Sequence, residues 1–332
     1  MKKRRLLLAS FIVTGCLLAG TAIAQAPAAA ATTYPSKPVR IVVPFAPGAS
    51  TDILSRLAAD ELSRRLGQPF VVENVGGAGG TIGTAQVVNA KPDGYTLVAA
   101  TPGPITVSPV AQKGLSYDVN QLQAITLIAE GPGGLVVAKD SPFKSVADLL
   151  AAARARPGAL SFGSAGTGAF SHLASELLKT LAGIDVVHVP YKGSGPAMVD
   201  VLGGRLDFYI EFFPAVAKLV DSGELRALAV TSGKRFPLRP DIPTMIEAGV
   251  PGYDASAWVG LMAPAGTPKD IVDKLQQALA QSLRDPAIVA KINGMGVVPG
   301  GQPPAEFARF MSAEREKYRK LVETTGLAIN NQ

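Results

Sequence analysis

Three segments of the chain place glycine and hydroxyl residues directly before a predicted helix. They are "PFAPGASTD" (44–52), "VGGAGGTIG" (75–83) and "FGSAGTGAFSHL" (162–173). The first backbone N–H groups of a helix have no partner within the helix, and the helix dipole favours negative charge there. Glycine also lets a ligand approach the backbone closely. These segments therefore predict that main-chain donors bind a small anion.

Each segment also has a simpler explanation, because a short polar side chain could merely cap the helix that follows. The candidate caps are Ser50, Thr51 or Asp52 for a helix over 53–66 and Ser171 for a helix over 172–182. A tight turn alone would explain the glycines of 75–83, which makes this segment the weakest of the three. Because all three segments share this arrangement, anion binding is favoured over three unrelated helix caps.

Main-chain donors are sufficient for a carboxylate. A micromolar complex needs about 8 kcal/mol, and each hydrogen bond to a charged group contributes about 1.5–3 kcal/mol. About four or five amide and hydroxyl donors around one carboxylate therefore suffice without an arginine. A polyphosphate would require more positive charge or a G-x-x-x-x-G-K-[ST] motif. Neither that motif nor a strict G-x-G-x-x-G occurs in the chain.

Catalytic alternatives depend on few residues. The chain has two histidines; His172 falls in the first turn of a predicted helix, and His188 lies in a predicted strand. A periplasmic hydrolase that uses Ser50 or Ser164 with His172 is the second hypothesis, although no G-x-S-x-G elbow occurs. His172 could instead cap its helix, orient the glycine loop or contact a ligand. We expect His188 to be a packed strand residue.

The segment "DFYIEFFPA" (207–215) concentrates aromatic residues at the end of a predicted strand. Core packing explains at least half of them. Phe212 is the one that we expect to face a cleft, where it would suit a ligand with an apolar or ring body. Glu211 is a lone carboxylate, for which a polar wall is the main interpretation and a catalytic base the alternative. We expect no cofactor and no metal site, because the histidines are well separated and the only cysteine is Cys16.

Alternating strands and helices must position these residues. The apolar runs are short, rich in β-branched residues and bounded by Gly, Pro or Asp, which is typical of buried strands. Helical periodicity appears in 53–66, 81–90, 145–155, 169–182, 195–203, 213–221, 269–284, 286–293 and 304–325. This alternation predicts an α/β fold with mostly parallel sheets flanked by helices on both faces.

Two Gly/Pro-bearing segments, "AEGPGG" (129–134) and "GVPGYDASAW" (249–258), flank a central block of the chain. The segment 259–325 is almost entirely helical, so we expect it to supply no sheet of its own and to pack back on the first domain. If the chain crosses twice between two lobes, the lobes form a hinged pair. The alternative is two independent tandem domains. The predicted division is 34–131 with 258–332 as lobe 1 and 132–257 as lobe 2.

The N-terminus has the pattern of a secretory signal peptide. "MKKRR" precedes the apolar run Leu6–Leu18 and the small-residue site Ala22-Ile23-Ala24. We therefore expect 1–24 to be cleaved and the mature protein to be periplasmic. An uncleaved N-terminal anchor is one alternative. Lipidation at Cys16 is another, because "VTGC" (13–16) resembles a lipobox.

The basic residues of the predicted signal account for most of the net positive charge. The whole chain carries 32 basic and 26 acidic residues, for a net charge of +6. Four basic residues and no acidic one would leave with the signal, which lowers the net charge to +2. No basic run or aromatic-basic face remains that would indicate nucleic-acid binding.

A series of ordered motifs resembles the Bug family, the extracytoplasmic solute-binding receptors of tripartite tricarboxylate transporters. They include "YPSKPVRIVVPFAPGASTD", "VVENVGGAGGTIG", "SFGSAGTGAFSHLASELL", "VPYKGSGPAMVDVLGGRLDF" and "LMAPAGTPKDIVDKL", so the resemblance runs from about Tyr34 to the C-terminus. It implies a two-lobed Venus-flytrap fold without catalysis. It also implies capture of a small carboxylate ligand for inner-membrane transporter subunits. We expect the protein to be a monomer.

The resemblance also implies ligand-binding residues, in the first strand–helix loop, in the glycine loop of the second lobe and in a further cleft segment. These are Phe45, Pro47, Gly48, Ser50, Thr51 and Asp52, then Ser164, Ala165, Gly166, Thr167 and Gly168, with Thr101 and Pro102 from the further segment. His172 and Phe212 complete the predicted set.

The chain departs from the family pattern at three places. Gly48-Ala49 stands where the first loop commonly reads Gly-Gly, and "ENVGG" has lost an arginine. Glu211-Phe212 replaces an Asp followed by a small polar residue. The last change points away from a citrate-like or amino-acid ligand and favours an aromatic or hydrophobic carboxylate.

Overall fold

The computed structural model describes residues 34–325, of which 35–325 belong to one compact unit. The predicted signal peptide, with Cys16, lies outside the described residues. No helix within 34–325 is long and apolar enough to cross a bilayer. Strands and helices alternate over most of the described chain, which confirms the predicted α/β fold.

The strands form one mixed sheet. They are β1 (Val39–Val43), β2 (Phe70–Asn74), β3 (Thr96–Ala100), β4 (Leu122–Ala138), β5 (Ser161–Ser164), β6 (Val187–Pro190), β7 (Phe208–Phe212), β8 (Leu225–Val230), β9 (Ser256–Pro264) and β10 (Val298–Pro299). Their order is β2-β1-β3-β9-β4-β7-β5-β6, and β8 and β10 also pair with β4.

The α-helices of the described residues agree with the predicted segments to within a few residues, and one short α-helix, α3 (Ser108–Ala111), was not predicted. They are α1 (Ser50–Leu66), α2 (Thr81–Val88), α3 (Ser108–Ala111), α4 (Val146–Ala155), α5 (Phe170–Ala182), α6 (Ser194–Leu202), α7 (Phe213–Asp221), α8 (Lys269–Leu283), α9 (Pro286–Gly294) and α10 (Pro304–Thr325). In α1, Leu54, Leu57, Ala58 and Leu62 share a buried face, and Gly67 ends the helix in a left-handed conformation.

Parallel pairing, which was predicted for most of the sheet, is found only towards its two ends. β1 pairs in parallel with β2 and β3, and β5 with β6 and β7. The middle of the sheet is antiparallel. It is built around β4, a 17-residue strand that runs through both halves. Its register with β9 runs from Leu122↔Pro264 to Pro132↔Ser256, and its pairing with β7 begins at Gly133. The change of partner therefore occurs within the predicted "AEGPGG" segment.

The expectation that 259–325 contributes no sheet was wrong. Most of β9 falls in this segment, and it lies between β3 and β4 in the sheet, while β10 pairs with β4. The run "SAWVGLMAP" lacks the alternation of a half-exposed strand because eight of its nine residues are buried.

Hydrophobic residues gather in separate clusters on the two halves of the sheet. One includes Leu135, Phe162 and Phe208, and another includes Val98 and Trp258. The carboxyl ends of β1, β3 and β5 lead into the loops that surround the candidate site, as is usual in open α/β sheets.

Candidate functional site

A cavity of about 40 Å³ lies where the loops after β1, β3 and β5 approach one another. Its wall is formed by Phe45, Ala49, Ser50, Thr51, Thr101, Pro102, Ala165, Ala169, Phe170, Ser171, Ser194, Glu211, Phe212, Ala257 and Trp258. Within the described residues, no lysine or arginine belongs to this wall, and Glu211 is its only ionisable carboxyl group.

Seven of the predicted site residues line the cavity: Phe45, Ser50, Thr51, Thr101, Pro102, Ala165 and Phe212. The remaining eight lie outside its wall: Pro47, Gly48, Asp52, Ser164, Gly166, Thr167, Gly168 and His172. The glycine segment 75–83 also lies outside the wall. The contacts below show that several of the eight hold the loops in place.

The first loop leads into α1 without a side-chain cap. Ala49 is the N-cap residue, and its N–H donates to the carbonyl of Ala46 at 3.5 Å. Ser50, Thr51 and Asp52 lie in the first turn, so the interpretation of these residues as caps was wrong. Gly48 takes the positive φ of 83°, whereas Ala49 has a φ of −69°. The amides of the first turn therefore remain available at the cavity.

Asp52 holds this first loop in position. Its Oδ2 accepts hydrogen bonds from Gly48 N and Arg56 Nε, each at 3.0 Å, and its Oδ1 accepts from Asn74 Nδ2 at 2.9 Å. Asn74 Nδ2 also donates to the carbonyl of Phe45 at 2.9 Å. Burial works to raise the pKa of Asp52, but these donors outweigh it and hold the pKa below its ordinary value.

The second loop repeats the backbone design of the first. Ala169 is the N-cap of α5, again without a side-chain cap, and its N–H donates to the carbonyl of Gly166 at 3.0 Å. Ser171 does not begin the helix. Its Oγ accepts a hydrogen bond from Ala165 N at 2.9 Å, which ties the loop to the first turn of α5.

Two histidines hold the second loop from behind. Ser164 Oγ is 2.6 Å from His188 Nε2, and His172 Nδ1 accepts from Gly168 N at 3.1 Å. The two rings stack with centroids 4.2 Å apart. Burial lowers the pKa of each to about 4, so both are neutral at pH 7. The hydrolase hypothesis requires Ser164 to pair with His172, but Ser164 pairs with His188 instead. Ser164 is also fully buried.

Glu211 also lines the cavity, and its carboxyl group accepts three hydrogen bonds. Its Oε2 accepts from Ser194 Oγ at 2.5 Å and from Tyr209 OH at 2.6 Å, and its Oε1 accepts from Phe212 N at 2.7 Å. Burial raises the pKa of this carboxyl above its usual range, although the three donors oppose the shift. In this arrangement Glu211 is a hydrogen-bonded polar residue of the cavity wall. Within residues 34–325, no group of three His, Cys, Asp or Glu side chains is arranged to hold a metal ion.

Two buried polar atoms of the wall have no hydrogen-bond partner among the described residues. They are Thr101 Oγ1, at the end of β3, and Trp258 Nε1, on β9. Sequence reasoning did not find Trp258, nor Ser171 and Ser194 as wall residues. The only hint to Trp258 in the sequence was that it is the single tryptophan of the chain.

Loops from the two halves of the sheet touch beside the cavity. An added Cβ at Gly79 would lie 2.2 Å from the carbonyl oxygen of Thr167, and one at Gly103 would lie 2.6 Å from that of Gly168. Glycine at both positions permits this close approach. Ser50 Oγ donates to the carbonyl of Phe212 at 3.0 Å and adds a hydrogen bond across the same gap.

Comparisons with known proteins agree with this architecture. Residues 54–327 match the family model "Tripartite tricarboxylate transporter family receptor". The solved structure of Rpa4515 from R. palustris with adipate is 39% identical, covers 89% of this chain and 99% of its own, and has a TM-score of 0.86.

Two further solved structures are similar over nearly their whole length. The periplasmic binding protein BugD is 35% identical, with a TM-score of 0.84 and coverage of 89% and 99%. MatC from Rhodopseudomonas palustris with bound malate is 31% identical, with a TM-score of 0.83 and coverage of 87% and 100%. The predicted resemblance and fold type are thus confirmed, and the chain belongs to the family of tripartite tricarboxylate transporter receptors.

Proposed function

We propose that this protein is a periplasmic receptor that captures a small carboxylate between two lobes and presents it to the membrane subunits of a tripartite tricarboxylate-type transporter. The family assignment supports a receptor role. Adipate in Rpa4515 and malate in MatC, both carboxylates, support the ligand class. The low net charge of the predicted mature chain suits recognition by local geometry rather than by a strong electrostatic field.

The observation that carries the proposal is the pair of uncapped helix N-termini at one cavity. Ala49 and Ala169 begin α1 and α5 without side-chain caps, and both line the cavity together with the unpaired Thr101 hydroxyl. No guanidinium or ammonium group of the described residues belongs to the wall. Backbone amides at a helix start are suited to an anion, so a carboxylate would satisfy donors that are otherwise unpaired.

In this proposal lobe 1 (34–131 with 258–332) and lobe 2 (132–257) close around the ligand. The separate hydrophobic clusters support two lobes, and the change of partner along β4 supports a hinge near Pro132 and Gly133. The ligand would shift the population towards the closed state because that state offers both sets of amides at once. Membrane subunits would then recognise the closed form.

Binding without catalysis fits the same residues. Ser164 is fully buried behind its loop, and the Ser50 hydroxyl is engaged by the Phe212 carbonyl, so neither is arranged as a nucleophile with a base at the cavity. Phe170 and Phe212 on the wall would suit an apolar or aromatic ligand body. Cleavage after Ala24 would release a monomeric protein into the periplasm.

A matched pair of variants tests the proposal. Ala49→Asp would place a carboxylate at the N-cap of α1, where it would occupy the free amides and repel a ligand anion. Ala49→Asn has nearly the same shape and caps a helix about as well but carries no charge, so the difference between the two variants measures repulsion by the charge. We expect wild-type protein to bind adipate in calorimetry but not adipamide. Ala49→Asp should weaken adipate binding by at least about 100-fold, and Ala49→Asn by clearly less.

Equal adipate affinity in the Asp and Asn variants would contradict the proposed site. No saturable binding of any member of a panel of aliphatic and aromatic acids would contradict the receptor function. Hydrolysis of a small ester or amide that is abolished by Ser164→Ala would instead support the alternative, a periplasmic serine hydrolase.

A further inference from the structure

We infer that Thr231 is a hinge clamp, a residue that ties the two chain crossings between the lobes to each other so that both bend together when the receptor closes. This inference rests on the proposed function, in which two lobes close around a carboxylate. Thr231 does not belong to the cavity wall, so it is a positioning residue that acts on closure and not on the ligand itself.

The first support is the place of Thr231 in the sheet. One crossing lies in β4, which pairs with β9 up to Pro132↔Ser256 and with β7 from Gly133 onward. The other crossing leads into β9, which begins at Ser256. Thr231 directly follows β8, which pairs with the second half of β4. Thr231 therefore lies where β4 changes its partner and where the chain returns to β9.

The second support is the hydrogen bonding of Thr231, which joins both crossings through every polar group of the residue. Its Oγ1 accepts from Gly133 N and donates to the carbonyl of Ala255, each at 2.6 Å. Its N–H donates to the carbonyl of Gly133 at 3.0 Å, and its own carbonyl accepts from Ala255 N at 2.8 Å. The side chain is fully buried, so water cannot replace these partners. A hydroxyl can accept and donate at once, which valine cannot do.

The third support is the composition of the first crossing, Gly131-Pro132-Gly133-Gly134. Glycine allows large changes of the backbone dihedral angles, and proline has no N–H to donate to the sheet. A segment of this kind can absorb the rotation of a hinge. Two crossings that bent independently would let the lobes twist as well as close, whereas a clamp between them favours a single axis.

The clamp is also connected to the cavity through both crossings. Gly133 is packed against the wall residue Phe170, because an added Cβ at Gly133 would lie 2.7 Å from Phe170 Cε1. Ala255 directly precedes β9, which contributes the wall residue Trp258. Wall residues from both proposed lobes are thus attached to the segments that Thr231 joins. A fixed hinge axis would bring them together in one arrangement.

The distance between spin labels on the two lobes tests the clamp. One label is attached to Ala151→Cys in α4 and the other to Gln277→Cys in α8, because both positions are exposed. The variant Cys16→Ser serves as the background, so that no other cysteine of the chain can be labelled. The width of the distance distribution in the ligand-free protein measures how many relative orientations the lobes adopt.

Three variants are compared with the wild type. Thr231→Val removes the hydroxyl at nearly constant shape, and Thr231→Ser retains it. Thr126→Val is the matched control, because Thr126 is fully buried on β4 and donates to the carbonyl of Gln302 at 2.7 Å, away from the crossings. We expect Thr231→Val to broaden the distribution at least about twofold and to weaken adipate binding at least about fivefold, since affinity falls with the population that can close correctly. Thr231→Ser and Thr126→Val should resemble the wild type in both measurements.

A distribution in Thr231→Val as narrow as that of the wild type would overturn the inference. Equal broadening in Thr126→Val would also overturn it, because the effect would then be a general loss of packing. If Thr231→Val does not fold, amide exchange of the wild type decides. Relative to the other amides of β4 and β9, the protection of Gly133 and Ala255 should agree within about threefold with and without adipate, and loss of that protection in either state would overturn the clamp.

The same experiments separate this inference from the proposed function. Failure of the wild type to bind any acid would argue against the receptor function. The label distances of the ligand-free protein would still test the clamp in that case, because they require no ligand.

Discussion

The two loops at the cavity have the same backbone design but different supports. Ala49 and Ala169 have nearly identical dihedral angles, with φ of −69° and −68° and ψ of 158° and 161°. Each follows a tight turn and begins a helix without a side-chain cap. The first loop is held by the charged Asp52, whose partners include Arg56. The second is held by two neutral histidines and a buried serine.

The backbone geometry that presents the donors is thus the same in both loops, whereas the side chains that support it differ. In neither loop does the supporting network place a lysine or arginine on the cavity wall. The supports should therefore respond to different conditions. Acidification should destabilise mainly the second loop, whereas removal of the Asp52 carboxylate should destabilise the first loop.

Acidification between pH 6.5 and 4.5 should weaken the second loop most. Both histidines have a folded-state pKa of about 4, below the ordinary value of 6.5, so the unfolded chain takes up protons first. The stability that they contribute is complete above pH 6.5 and is lost as the pH falls towards 4. Urea unfolding should show a loss of about 2–4 kcal/mol between pH 7 and 4.5.

The double variant His172→Gln, His188→Gln is the control for this pH effect, because a glutamine oxygen at 172 can still accept from Gly168 N. Its stability should change clearly less over the same range. Asp52 contributes little to the slope there, since its pKa lies below 3.8 and its contribution is lost only in stronger acid. Equal slopes for wild type and double variant would contradict the account of the second loop.

Removal of the Asp52 carboxylate should affect the first loop nearly as strongly. Asp52→Ala leaves Gly48 N and Asn74 Nδ2 without their acceptor, and we expect the free energy of unfolding to fall by about 2–3 kcal/mol. The exposed Arg56 contributes little of this. Ser164→Ala, the matching change in the second loop, should cost about 1 kcal/mol in urea unfolding at pH 7. The reverse order would show that the first loop does not depend on its charged support.

A methyl group at Gly103 should prevent the two loops from approaching each other. Gly103 has no positive φ, so alanine fits the backbone, but its Cβ would lie 2.6 Å from the carbonyl oxygen of Gly168. We expect Gly103→Ala to weaken adipate binding at least about tenfold with little loss of stability. Gly294→Ala, where nothing lies within 4 Å, is the matched control. Full affinity in Gly103→Ala would mean that binding does not require this contact.

The smallest expected effect concerns Glu211, the carboxyl group on the cavity wall. The pKa of Glu211 is raised by burial, so its negative charge decreases as the pH falls, and repulsion of a bound anion decreases with it. Glu211→Gln should raise adipate affinity about two- to fivefold at pH 7 and flatten its pH dependence. A lower affinity at unchanged stability would show that the ligand donates a hydrogen bond to Glu211.

Much of the architecture was predictable because it depends on local periodicity. The helices follow a 3.6-residue repeat, and their predicted bounds differ from the observed ones by only a few residues. The prediction for the start of α1 was three residues too late, because serine and threonine are preferred caps and Ala49 takes that place instead. Local preference cannot reveal an N-terminus that is left uncapped.

The candidate site was only partly predictable. Phe45 and Thr101 were implied by the family resemblance and Phe212 was named from a strand end, and all three lie on the cavity wall. Their contact with a ligand stays a prediction. Trp258 was missed because β9 joins the wall through its pairing with β3 and β4, which are far away in the sequence. The partnership of Ser164 with His188 likewise depends on the pairing of β5 with β6.

The structure of the protein crystallised with adipate tests the central claim most directly. The account predicts one carboxylate within about 3.2 Å of amides in the first turns of α1 and α5, with no arginine or lysine side chain bound to it. A ligand held chiefly by guanidinium or ammonium groups, or bound away from both Ala49 and Ala169, would contradict the account.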